Sequence, residues 1–435
     1  MRALSRRRLL AKVMAAPLLI ACDVRRLYGI PTATPLGQAP RRRVSLWHAD
    51  AVPGERVLAR ELLPPFAGAR AVEVDQLPHG DLDDLIRRVG QASAGGVGPD
   101  IFQAPGEWLP DLVGRKLPRP LDPGDPGGWS PGLVETAAWQ GQSWGVPAWP
   151  LFRQPYYNEL LLRDAGLFNQ GRTTPPTTWA EFADVSRRVA RPDERWGSLL
   201  PSQAGDDELY LHVLQHVHTA GGEAPRREGA RVRLDSPPMR EALGYLLDLV
   251  QKGGALPLDR QPFRLAETGR AGLWWTDSAW LGDQAEVGAT LRVGATPVPR
   301  GVRGGALVRG RHWCLGGLGG ARDEAAALLG YLAEDEASHR YCAGLSRPPA
   351  RRANWARPAY TLATERTRPW EPGVWRATIE QLGGSDNLPL VTFPGYREVA
   401  GRVGGELRLV LLGKKPIANA LAEGEAAAAE ILTRT

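Results

Sequence analysis

Cysteine is almost absent, with three in 435 residues. Cys22 stands near the start, which leaves Cys314 and Cys342 and at most one bridge within the body of the chain. The sequence does not set their separation, so pairing and two separate buried thiols both stay open. Beyond the N-terminal segment no hydrophobic run is long enough to cross a bilayer. Gly-x-Ser-x-Gly is missing, which speaks against an α/β-hydrolase. His-Glu-x-x-His is missing too, so His212, His216 and His218, with Glu208 one turn earlier, read as one face of an amphipathic surface helix rather than as metal ligands. Gly95-Gly96-Val97-Gly98 lacks a following Lys-Ser/Thr and leads into strand-like residues; it reads as a turn, not a phosphate cradle. There is no internal repeat and no long low-complexity tract. No catalytic set, cofactor or metal is expected.

An excess of positive charge is also missing once its location is considered. The formal charge is +6, but Arg2, Arg6, Arg7, Arg8 and Lys12 sit in an N-terminal segment without acids, so residues 22–435 carry +1. Arg25, Arg26, Arg41, Arg42 and Arg43 stand against Asp23 in the next stretch, which brings 44–435 to −3. A nucleic-acid partner is therefore not expected. Roughly 390 residues remain beyond this region, more than one core usually holds, and two domains are expected.

The N-terminus itself has the form of an export address. Arg6-Arg7-Arg8 precede a short apolar run from Val13 to Ala21, too short to span a membrane, and Ser5 to Leu10 resembles a twin-arginine signal. Leu19-Ile20-Ala21-Cys22 resembles a lipobox, in which cleavage before Cys22 leaves its thiol to carry lipid. Residues 1–21 are thus expected to be a signal peptide, and 22–42, rich in Pro, Gly and small polar residues, a lipid-anchored tether.

Along the body, strand-like runs alternate with helical periodicity, as an α/β fold requires. Arg43-Val44-Ser45-Leu46-Trp47, Ala71-Val72-Glu73-Val74, Pro99-Asp100-Ile101-Phe102, Arg292-Val293-Gly294-Ala295 and His312-Trp313-Cys314-Leu315 read as strands. Helices are expected at Leu82 to Val89 with Asp81 near the start, at Ser236 to Lys252, over most of 322–343 and over most of 395–434. Asp81, Asp83 and Asp84, at a first helical turn, complement its dipole. The most informative stretch runs from Gly141 to Phe182: a strand-like Gly145-Val146-Pro147, an extended run ending in Tyr156-Tyr157-Asn158, a helix ending at Gly166, and Pro-Pro-Thr-Thr-Trp-Ala-Glu. There Thr178 caps the next helix while Glu181 reaches back to the Thr178 amide.

That order of elements resembles the family 1 extracellular solute-binding proteins of bacterial ABC importers, of the maltose, oligosaccharide and glycerol-phosphate-binding type. Pro99-Asp100-Ile101-Phe102, Leu121-Asp122, the Gly269-to-Leu273 segment followed by Trp280, and Ala326 to Leu345 followed by Pro348-Pro349-Ala350-Arg351 are similar to further family segments in the same order. The resemblance implies a periplasmic-binding-protein-like α/β fold: two α/β lobes, a ligand cleft between them and several hinge crossings. It implies one lobe over 43–150 and 299–347 and another over 151–298 and 348–435. It also implies a monomer at the outer face of the cytoplasmic membrane, with ABC permease subunits as partners.

In such folds ligands meet the loops beyond strand C-termini. The candidates are therefore Trp47 and Asp50 with His48 after the first strand, Gln103 and Trp108 after the 99–102 strand, and Trp149 at the first crossing. Tyr157, Asp207, Tyr210, Trp275, Asp277 and Trp280 come from the second lobe, and Arg351 from a later crossing. A sugar offers an apolar face for an aromatic plane and hydroxyls for fixed acceptors and donors, and fifteen Trp in the chain supply planes in plenty. A mono- or oligosaccharide is the expected solute. An anionic polyol such as a glycerol phosphodiester, clamped by Arg347, Arg351 and Arg352, is the alternative within binding proteins. A secreted glycosidase with two cleft carboxylates is the alternative outside them.

Overall fold

The computed structural model describes residues 42–50, 52–169, 172–191, 193–201, 205–252, 254–256, 266–280, 291–357, 374–390 and 392–435. The signal segment, Cys22 and the tether up to position 41 lie outside the described residues. The chain divides into two compact units, Met1–Gln103 with Leu315–Tyr331 and Ala104–Cys314 with Leu332–Thr435.

The first unit is built on parallel strands. β1 (Arg42–His48) runs beside β2 (Val72–Pro78) from Arg42↔Val72 to His48↔Pro78, and its second half pairs with β3 (Ile101–Pro105) through Leu46↔Ile101 and Trp47↔Phe102. Parallel neighbours need crossover connections, and α1 (Leu82–Ala94) provides the one between β2 and β3. Its start is set by Asp81, whose side chain accepts from the Asp84 amide at 2.7 Å, while Asp83 and Asp84 occupy the first turn as expected. Asp100 locks the base of the strands, accepting from the Ser45 amide and hydroxyl at 2.8 Å each. His48 ends β1, whereas Gln103, expected to follow its strand, is the middle residue of β3, because the strand extends to Pro105.

The second unit follows the chain as β4 (Val146–Leu151), β5 (Arg153–Asn158), α2 (Trp179–Val189), β6 (Trp196–Leu199), α3 (Asp206–Thr219), α4 (Pro237–Lys252), β7 (Ala271–Asp277), β8 (Val293–Ala295), β9 (Leu307–Gly316), α5 (Asp335–Gly344), α6 (Tyr396–Leu411) and α7 (Ile417–Leu432). The unit boundary falls inside β3 and β9. Four strands form one sheet in the order β6-β7-β5-β8, parallel between β6 and β7 and antiparallel elsewhere. β9 pairs with β4 from Arg309↔Leu151 to Trp313↔Val146, with a register irregularity between Arg311 and His312. The capping box at α2 is present, with Glu181 N on Thr178 Oγ1 at 3.2 Å and Glu181 Oε2 accepting from the Thr178 amide at 3.2 Å.

The histidine-bearing helix corrects the sequence reading. α3 is buried without interruption from Leu209 to Thr219, including His212, His216 and His218. It is packed by α4 and α6 rather than presenting a polar face to water. The α3–α6 approach is close enough that a Cβ at Gly404 would overlap the Asp206 carbonyl. Cys314 and Cys342 are separate, buried thiols. No helix among the described residues is long and apolar enough to cross a membrane.

Candidate functional site

In the first unit the C-terminal end of β1 and the middle of β3 hold a polar set. Gln103 Nε2 donates to Asp50 Oδ2 at 3.0 Å and its Oε1 accepts from the Ala49 amide at 3.2 Å. Gln76 Nε2 faces the Glu55 carbonyl at 3.2 Å and His48 Nε2 at 2.8 Å. The carbonyl can only accept, so this amide nitrogen is a donor. His48 Nδ1 faces the Asp50 amide, which donates to it at 3.3 Å, and lies 3.4 Å from Asp50 Oδ2. Trp47 is buried with its indole 5.2 Å from the His79 ring. Asp50 and Gln103, chosen from the sequence separately, are thus bonded to one another, while Trp47 packs against His79.

A denser set lies in the second unit. Arg153 opens β5 directly opposite Asp277, which closes β7. Arg309 lies near the start of β9, Glu208 in the first turn of α3, and Glu107 in a short 3-10 turn, Gly106–Trp108, that follows β3. Arg309 donates to Asp277 Oδ1 at 2.6 Å and to Glu107 Oε1 at 3.1 Å, and stands 3.5 Å from Glu208 Oε1. Arg153 Nη2 bonds the Glu208 carboxylate, and its Nε lies 3.9 Å from Asp277 Oδ1. Both guanidinium side chains are only 6% exposed, against 28% for Glu208 and 29% for Asp277. The arginines form the floor and the carboxylates stand nearer to water. Burial pushes the Asp277 carboxyl upward, but Arg309 and Arg153 outweigh it and hold Asp277 below the usual carboxylate range. Burial likewise works against the Arg309 charge, and Asp277, Glu208 and Glu107 reverse it, holding Arg309 well above its ordinary value.

Aromatic side chains lie beside this set and on the opposite face of the sheet. Tyr210 of α3 is buried 6.3 Å from Tyr396, the first residue of α6. Half-buried Trp108 carries the Arg397 guanidinium 4.3 Å above its ring. On the far face of the β5–β7 pair, Tyr156, Trp274 and half-buried Trp280 make an aromatic cluster, with Trp280 5.2 Å from Tyr156 and 5.5 Å from Trp274.

Other candidates point elsewhere. Trp275 lies inside the core, 5.2 Å from His212, 5.1 Å from His216 and 5.8 Å from Phe182. Tyr157 shares that face of the sheet and is so closely covered by β8 that a Cβ at Gly294 would overlap its ring. Trp149 is buried against Tyr341 at 5.6 Å, with Arg311 and Arg347 over its ring at 5.7 and 5.9 Å. Arg351 bonds Asp335 at 2.7 Å and covers Trp129 at 4.4 Å. Asp207 is half-buried beside Glu208 at the start of α3. Among the described residues no group of three or more His, Cys, Asp or Glu is placed to hold a metal ion.

Glu107, Arg153, Glu208, Arg309 and Tyr396 are absent from the sequence candidates. Glu107 and Glu208 each adjoin a residue that was selected, so the strand-end rule reaches their neighbourhood but not their side chains. Arg309 escapes because β9 begins at Leu307, well before the apolar run at 312–315 that marks it in the sequence.

A family model described as bacterial extracellular solute-binding protein matches residues 68–338. No curated protein matches the chain. Among solved structures, the cyclic alpha-maltosyl-1,6-maltose binding protein from Arthrobacter globiformis superposes with a TM-score of 0.78 at 20% identity, covering 91% of this chain and all of that one. The sugar-binding protein MalE from Xanthomonas citri gives 0.75 at 20% identity, over 90% of this chain and 98% of that one. The GacH receptor of Streptomyces glaucescens, whose structures include a complex with acarbose, gives 0.70 at 18% identity, over 91% of this chain and 99% of that one. At such identities the likeness establishes the fold, and the two-sheet α/β architecture anticipated from the sequence is the one these structures share.

Proposed function

From the premise that this chain belongs to the bacterial extracellular solute-binding protein family, we propose that the solute it captures for an ABC importer is a mono- or oligosaccharide. The family is one of binding proteins, so the chain is a binding subunit and not a glycosidase. The observation that carries the sugar reading is the arginine-floored carboxylate set of Glu107, Glu208 and Asp277. Sugar hydroxyls need fixed acceptors, and the buried guanidinium groups hold these carboxylates in place and keep Asp277 below the usual carboxylate range. Half-buried Trp108 offers a plane for the apolar face of a ring beside that set, and half-buried Trp280 is proposed as a further contact from the other face of the β5–β7 pair. Asp207 and Tyr210 on α3 complete the ligand-contacting residues proposed in this unit, and Trp47, Asp50 and Gln103 are those proposed for the first unit by itself. The sugar-binding names of the structural neighbours support the same class.

An anionic polyol is less well served. Arg309 and Arg153 already face carboxylates, Arg351 is bonded to Asp335, and Arg347 bonds the Ala279 carbonyl. Residues 43–150 with 299–347 are proposed as one lobe and 151–298 with 348–435 as the other, supported by β5 to β8 forming a sheet of their own. Lipid attachment at Cys22, with anchoring at the outer face of the cytoplasmic membrane, is proposed from the lipobox.

Calorimetric titration of the purified protein against a panel of neutral mono- and oligosaccharides tests the central reading, alongside mass spectrometry of small molecules that co-purify. Saturable binding of a neutral sugar is expected. Absence of both heat and thermal shift across the panel would remove the carbohydrate assignment. Mass spectrometry of the N-terminal peptide checks the anchor: an unlipidated chain starting elsewhere than Cys22 counts against it.

A further inference from the structure

Two buried polar atoms beside the carboxylate set have no hydrogen-bond partner among the described residues: Tyr396 Oη and Glu107 Oε2. Glu107 uses its other oxygen on Arg309 at 3.1 Å. Tyr396 is 4% exposed. Their elements are packed together, since the start of α6 sits on the 106–108 turn. Arg397 covers Trp108 at 4.3 Å, and the Gly395 amide, which precedes α6, donates to Asp111 at 2.7 Å. Burial raises the Tyr396 phenol well above its ordinary value, and Tyr210 and the charge of Glu107 add to that, so the group stays protonated and able to donate. Leaving either atom unmet in a low-dielectric site is unfavourable, so a complementary group is favoured there.

We propose that Tyr396 and Glu107 hold a single hydroxyl of the solute: Tyr396 Oη donates to the hydroxyl oxygen, and that hydroxyl donates to Glu107 Oε2. A hydroxyl is suited because it accepts one hydrogen bond and gives one. A phosphoryl or carboxylate oxygen is not, because it brings no proton for Glu107 and places negative charge beside Glu107, Glu208 and Asp277. The pair therefore selects neutral, hydroxyl-bearing ligands against anionic ones. It rests on the reading of the solute as a sugar and makes that reading specific, pairing the acceptor Glu107 with a donor, Tyr396, not otherwise assigned a ligand role.

The test is calorimetric titration of the intact wild-type protein, Tyr396→Phe, Glu107→Gln and the double variant with the tightest neutral sugar from a panel of glucose, maltose, maltotriose and trehalose. Glycerol 3-phosphate serves as the anionic probe, and thermal melting is recorded for each variant. Tyr396→Phe is expected to weaken sugar binding about tenfold or more while its melting temperature is kept. The double variant is expected to lose less than the sum of the two single losses, because both residues meet one hydroxyl. If wild type binds a sugar and Tyr396→Phe binds it equally well, the pair has no ligand role and the inference falls while the sugar reading stands. Additive losses, or tighter wild-type binding of glycerol 3-phosphate than of every sugar, overturn it as well. A melting-temperature drop with affinity kept would identify a structural role, such as holding an internal water, and also overturns it. If wild type binds no sugar at all, the sugar reading itself fails and takes the inference with it.

Discussion

Arg309 and Asp277 meet through a 2.6 Å hydrogen bond in which the arginine side chain is 6% exposed and the aspartate 29% exposed. The cation is thus the hidden partner and the anion the accessible one. The same arginine also serves Glu107 and Glu208, which makes it the common counter-charge for three carboxylates.

Removing that counter-charge should therefore be costly. Arg309→Met is expected to lower stability by about 3 kcal/mol, because it leaves partly buried carboxylates facing one another, with Arg153 still beside Glu208 and Asp277. Urea unfolding at pH 7 measures it, and a loss below about 1 kcal/mol would show that the network relaxes without harm.

Acid should weaken the fold through α3. Burial is the largest cause holding His212 well below its ordinary value, and it lowers His216 and His218 to about 4 each. A histidine whose folded pKa lies below its unfolded value of about 6.5 stays neutral in the fold while the unfolded chain takes up protons. Its contribution is complete above about pH 6.5 and is lost as pH falls towards the folded value, at about 1.4 kcal/mol per pH unit for each such group. His212 has neither ring nitrogen hydrogen-bonded among the described residues. His212→Leu should flatten the slope between pH 6.5 and 4.5 by about that amount while leaving stability at pH 7 equal or higher. Denaturant titrations at several pH values check this, and an unchanged slope would clear His212 of the effect.

Gly404 is the contact point of α6 on α3. Gly404→Ala must push α6 away from the Asp206 carbonyl, at a cost of about 1–3 kcal/mol, and should also weaken solute binding because α3 carries Glu208 and α6 carries Tyr396. Affinity and unfolding free energy measured on the same variant test both. Loss of stability with affinity intact would separate the helix contact from the site.

Thr178→Ala should behave in the opposite way. It removes one half of the capping box and is expected to cost about 1 kcal/mol of stability with no change in solute affinity. A marked loss of affinity in titration would give the 174–181 turn a ligand role that its hydrogen bonds do not suggest.

What the sequence discloses follows from how local each feature is. The Thr178 cap, the Asp81 cap and the β1 and β3 strands are written in short runs, and all are present in the structure. Which face of a strand meets the core is not local. Tyr156 and Tyr157 are equivalent in the sequence, yet they point to opposite sides of β5, and Tyr157 belongs to the main core cluster. His212 and His216 suggest water because their side chains are polar, but helices packed around α3 leave it no solvent face. Arg309 and Arg153 join the site only because distant strands end near each other, a relation no spacing in the chain expresses.

The uninterrupted burial of α3 has one more consequence. A stretch enclosed from Leu209 to Thr219 opens only when the surrounding unit opens, so its amides are expected among the slowest to exchange. Glu208 and Tyr210 are attached to that helix. If they grip the solute as proposed, it is fastened to the last part of the unit to come apart, and occupancy is expected to raise the free energy of global unfolding by RT ln(1 + [L]/Kd) rather than merely stiffen a surface loop.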